Sequence, residues 1–82
     1  MSIEHFNREV LEFRNLFGQK TFWAKPNVVK NAAFALSKIY LDLTGTPQEK
    51  DNAEITFQST MGEFVKRALL MKVNPITGQK VN

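Results

Sequence analysis

Five apolar residues near the start of the chain, Ile3, Phe6, Val10, Phe13 and Phe17, recur at spacings of three, four, three and four. An α-helix places residues at those intervals on one face, so the segment reads as a helix with one side to bury. Ser2 stands where an N-cap belongs, and Glu4 suits the positive end of the helix dipole. Glu4 and Arg8 form an i,i+4 pair in the favourable order. Gly18 follows the last periodic residue, where a helix C-terminus is capped. A helix over 3–17 is therefore predicted, its apolar face widened by Leu11 and Leu16.

Lys25-Pro26-Asn27 closes a connection that begins at Gly18 and holds two adjacent aromatics, Phe22 and Trp23. Pro26 disfavours helix at Lys25, and Asn27 can serve as the next N-cap. A second helix is predicted over 28–43, with Val29, Ala32, Leu36, Ile39 and Leu43 as its stripe. It is the most apolar segment and is expected to be the central, most buried helix. Its alanines would let a neighbouring helix approach closely.

Thr44-Gly45-Thr46-Pro47 is the clearest punctuation in the chain. Thr46 and Glu49 have the spacing of a capping box, with Pro47 at the first helical position. The third helix is predicted over 47–72, with Asn74-Pro75 beyond it as its stop. Phe57, Met61, Phe64, Ala68 and Met71 form its stripe, flanked by Val65 and Leu69. Its polar opening, Gln48–Glu54, is expected to project past the core or to bend at Ile55-Thr56. Gly62 lies in mid-helix, at a cost of about 1 kcal/mol relative to Ala, and suggests a close helix crossing. Residues 75–82 show no periodicity and are expected to be an extended or disordered tail. The fold class that follows is all-α: one domain over 1–74, a small bundle of three helices, with a flexible tail.

Composition narrows the function. A chain of 82 residues buries only roughly 60–65% of its unfolded surface, so its nine aromatics must supply much of the burial energy. The absence of Cys excludes a disulfide framework, thiolate catalysis and Cys-ligated metal, and fits a reducing compartment. The polar N-terminus does not read as a signal peptide, and the apolar runs are too short to cross a bilayer. A cytoplasmic protein without membrane insertion is expected. Net charge is +3, unevenly spread: from Lys20 to Lys38 there are four Lys and no acid.

Catalysis finds little support. His5 is the only histidine and lies in the first turn of a helix. The pairs Glu9/Glu12 and Asp51/Glu54 share helix faces and could hold Mg²⁺, as in all-helical nucleotide pyrophosphohydrolases, but pairs of this kind usually mark a solvated face. No catalytic, cofactor or metal residue is assigned. Lys20, Lys25, Lys30 and Lys38 around Phe22 and Trp23 could form a basic patch with stacking groups for nucleic acid. A protein partner is favoured, with Leu11, Leu16, Phe22 and Trp23 as apolar anchors and Lys20 and Lys25 on the rim. The opposed reading makes Phe22 and Trp23 a lid on the core. A homo-oligomer is compatible with such a surface.

Three segments, Glu9–Lys20 (EVLEFRNLFGQK), Lys38–Pro47 (KIYLDLTGTP) and Asn74–Asn82 (NPITGQKVN), together with the length, carry a resemblance over the whole chain. The sequence resembles the lysis-inhibition accessory proteins, the class III rapid-lysis proteins, of T-even-type bacteriophages. That resemblance implies a protein of the host cytoplasm that contacts the cytoplasmic part of the phage holin and helps a periplasmic antiholin delay lysis. It assigns no residue. The alternative kept beside it is a small nucleic-acid-binding or transcription-modulating helical protein.

Overall fold

The computed structural model describes residues 1–81. Among them are three α-helices, α1 (Ile3–Phe17), α2 (Pro26–Leu41) and α3 (Pro47–Leu70), and a short 3₁₀ turn over Lys20–Ala24 between α1 and α2. The described residues form no strand; one isolated antiparallel bridge joins Val73 and Lys80. The chain is an elongated all-α bundle, 43 × 18 × 17 Å. Its width is that of about two helices side by side.

α1 has the predicted bounds, for the predicted reasons. The Ser2 side chain accepts from the His5 backbone N–H at 3.2 Å. Phe6, Val10, Phe13 and Phe17 are its buried face. α2 starts two residues earlier than expected, because Pro26 itself takes the first helical position. Its fixed φ is already helical and its missing N–H would have no partner there. α3 opens on a complete capping box. The Thr46 hydroxyl accepts from Glu49 N–H at 3.2 Å, and Glu49 Oε1 accepts from Thr46 N–H at 2.9 Å.

The expectation that α2 is the central helix is corrected. α1 is central: it packs on both α2 and α3, whose backbones hardly approach each other. α2 is apolar, but several of its apolar residues face solvent, including Phe34 and Leu41. Two further expectations for α3 are also revised. Its polar start does not overhang: the helix runs unbroken through Ile55-Thr56 and buries Ala53 against the core. The buried line of α3 runs through Ala53, Thr60, Phe64 and Ala68, which leaves Val65 and Leu69 exposed one step round the helix.

α3 ends earlier than Asn74-Pro75 would require. Lys72 adopts a left-handed φ of 55°. The Lys72 N–H donates to Leu69 O at 3.2 Å and the Val73 N–H to Ala68 O at 2.9 Å, the two bonds of a Schellman cap, here built on Lys rather than Gly. The tail has no helix, as expected, but it is not a loose extension. Asn74 Oδ1 accepts from the N–H groups of Ile76 and Thr77. Asn74 N–H donates to Gln79 O, and Val81 N–H to Lys72 O, each at 2.7 Å. The turn is closed at Gly78, which is buried with φ +75°; a Cβ there would run into the Pro26 carbonyl oxygen. Asn82 lies outside the described residues.

Candidate functional surface

Phe22 and Trp23 decide where a partner can bind. The short 3₁₀ turn points both rings inward, at 4% and 2% exposure. Trp23 stacks on Phe64 at 5.4 Å between ring centroids with 22° between planes, and meets Phe22 edge-on at 5.1 Å. Its indole N–H donates to the Phe17 carbonyl oxygen at 2.9 Å. The expectation that these two side chains anchor a partner is therefore corrected: they belong to the core, as the opposed reading held. The same burial removes them as stacking groups for nucleic-acid bases.

The remaining expected residues do not form one surface. Lys20 and Lys25 are exposed at the end of the bundle where the 3₁₀ turn lies. Leu11 and Leu16 are five residues apart on α1, about 140° round the helix. Leu11 faces a shallow groove between α1 and α3, with Asn7, Val10, Arg14 and Thr56. Leu16 lies in the groove between α1 and α2.

That α1/α2 groove has the anatomy of a docking surface. Phe13 and Leu16 form one wall, and Ala32, Ala35 and Leu36 the other. The two alanines keep the α2 wall low and leave the groove open. Glu9 and Glu12 stand along its edge, so one pair of carboxylates borders an apolar floor. His5 Nε2 approaches Glu9 Oε1 at 3.7 Å. A groove so lined accepts apolar side chains from a helix or extended segment whose flanking residues are Lys or Arg. Sequence reasoning passed over Ala35, Glu9 and Glu12 as groove residues. The i,i+3 carboxylates were legible, but what lies beside them depends on how α2 packs.

The second carboxylate pair does not join the first. Asp51 and Glu54 lie on the exposed side of α3, and Glu9 and Glu12 border the α1/α2 groove. Among the described residues no group of three or more His, Cys, Asp or Glu is placed to hold a metal ion. The exposed aromatic that stands beside a basic residue is Phe34: Lys30 Nζ lies 5.8 Å from the centroid of its ring, and the residue is 55% exposed. No helix among the described residues is long and apolar enough to cross a membrane. Comparison with protein-family models, curated proteins and solved structures finds no match.

Proposed function

We propose that this chain is a protein-binding regulator that seats a segment of its partner in the α1/α2 groove. The observation that carries the reading is the apolar groove in which Leu16 and Ala35 stand exposed over the buried Phe13 and Leu36, edged by Glu9 and Glu12. The partner is the cytoplasmic part of a phage holin, and the regulated step is the timing of lysis; this assignment rests on the resemblance of the sequence to the T-even lysis-inhibition accessory proteins. In that role the protein acts in the host cytoplasm and performs no catalysis. Its contribution is to hold one conformation or assembly state of the holin by binding it selectively.

Titration of the purified full chain with a labelled peptide of the holin's cytoplasmic segment tests both parts. Leu16→Ser and Ala35→Glu should weaken binding with little change in thermal stability, and Leu11→Ser, on the other groove, should not. Binding that survives both groove substitutions removes the groove from the proposal. Failure of the wild-type chain to bind the segment removes the holin.

Lys30 over the exposed Phe34 ring favours a second reading, a platform for single-stranded nucleic acid. Binding to labelled DNA or RNA that falls steeply with salt and is lost in Phe34→Ala would establish it in place of the first.

A further inference from the structure

The outer side of α3 carries two large exposed apolar residues, Ile55 and Leu69, set among exposed Asp51, Gln58, Ser59 and Lys66. Its buried side runs through Ala53, Thr60, Phe64 and Ala68. On the opposite side of the helix lie Ile55, Gly62 and Leu69, seven residues apart, with Val65 beside them. Ile55 and Leu69 are 68% and 69% exposed. Gly62 lies midway between them, and a Cβ there would meet nothing within 4 Å. No helix crossing within the chain accounts for this glycine, which is a poorer helix former than Ala. On an exposed helix face, glycine permits another backbone to come close.

The charges on α3 say which backbone. Before Gly62 the helix carries Glu49, Asp51 and Glu54 against a single Lys50. After it come Lys66 and Arg67, and then Lys72, against a single Glu63. Glu63 is engaged by Arg14 at 3.4 Å; neither ion pair among the described residues uses Asp51, Glu54, Lys66 or Lys72. The helix is thus acidic in one half and basic in the other, with glycine at the boundary. A second α3 laid antiparallel matches each half to its opposite, and the two helix dipoles are opposed as well. A parallel arrangement would set like charges together.

We propose that two copies of this chain pair antiparallel through the outer faces of α3, about a two-fold axis at Gly62. Gly62 then faces Gly62 of the second copy, and Ile55 faces Leu69 of the second copy. Asp51 and Glu54 lie beside Lys72 of the second copy. The contact is isologous and closed, so assembly stops at the dimer. It involves the side of α3 turned away from α1 and leaves the α1/α2 groove open, so it does not depend on the function proposed above.

Sedimentation equilibrium of the full chain over a range of concentrations measures the association, and a monomer–dimer equilibrium is expected. Gly62→Gln leaves the monomer folded, since the site is open, and should raise the dimer dissociation constant by about tenfold or more. Lys72→Glu should weaken the dimer, and adding Glu54→Lys should restore it. The chain has no cysteine, so single cysteines report orientation cleanly. A mixture of Ile55→Cys and Leu69→Cys should form a mixed disulfide dimer, whereas Ile55→Cys alone should not cross-link to itself. A chain that stays monomeric throughout, association indifferent to Gly62→Gln, or efficient self-linking of Ile55→Cys would each overturn the proposal.

Discussion

Trp23 closes the end of α1: its indole nitrogen donates to the carbonyl oxygen of Phe17, the last residue of that helix, at 2.9 Å. The last carbonyls of a helix have no partner within it, and burial of one without a donor is costly. The ring meanwhile fills the space between Phe22 and Phe64. One side chain therefore satisfies a helix terminus and joins α3 to it. Trp23→Ala should lower stability by about 3–5 kcal/mol, measured by urea unfolding followed by circular dichroism. Trp23→Phe keeps an apolar ring and loses the hydrogen bond, so it should cost clearly less. Unchanged stability in Trp23→Ala would return this residue to the surface.

The capping box of α3 makes a pH-dependent prediction. Hydrogen bonds from Thr46, the backbone N–H foremost and the side chain second, hold the Glu49 carboxyl below the ordinary glutamate range. A carboxylate with a lowered folded-state pKa adds stability that is complete above the unfolded pKa and is lost as pH falls through the folded one. Glu49→Gln should therefore flatten part of the acid limb of a stability–pH profile by lowering stability near neutrality, and should differ little from wild type below the folded-state pKa. Thr46→Ala removes the hydroxyl acceptor and should cost about 1 kcal/mol at neutral pH. An acid limb identical in wild type and Glu49→Gln would contradict the pairing.

Gly78 tests whether the tail is docked. An added methyl meets the Pro26 carbonyl and forces a left-handed backbone on a residue that disfavours it. Gly78→Ala should weaken tail docking by about 1–3 kcal/mol. Hydrogen exchange should speed up at the Asn74 and Val81 amides, both bonded within this turn, and not in α1. Unaltered exchange at those two amides would mean that the turn is not held by Gly78.

Thr60 is the buried polar residue of the core, with 0% exposure. Its hydroxyl donates to Thr56 O at 2.7 Å and accepts from Arg14 Nε at 3.2 Å. Arg14 thereby ties α1 to α3 at two points, Thr60 and Glu63. Thr60→Val keeps the shape and removes the hydroxyl, and should cost about 1 kcal/mol. A double-mutant cycle with Arg14→Met should show that the two losses overlap rather than add.

What the sequence made legible, and what it hid, divides along a physical line. The limits of α1 and the start of α3 were readable because Ser2, Thr46, Pro47 and Glu49 act on neighbours a few residues away. The offset at α2 arose from one local competition, in which Pro26 as first helical residue prevailed over Asn27 as cap. The fate of Phe22 and Trp23 could not be read locally, since it depends on Phe64, more than forty residues further on. The rank of α2 was misjudged for a related reason: apolar content says that a helix has surface to bury, and not which helix buries it. The groove combined both kinds of information. Glu9 and Glu12 were visible as a pair, but Ala32 and Ala35 become one wall of the groove only through packing against α1.

Because α2 and α3 lean on α1 far more than on each other, the bundle behaves as two levers on one spindle. Direct ring contact across the levers is confined to Tyr40 on Phe57, stacked at 4.3 Å. A segment lodged against α2 and a protein copy seated on α3 would therefore sense one another mainly by what each does to α1. Any such communication has the same magnitude in both directions, and cutting Tyr40 back to alanine would leave α1 as its principal route.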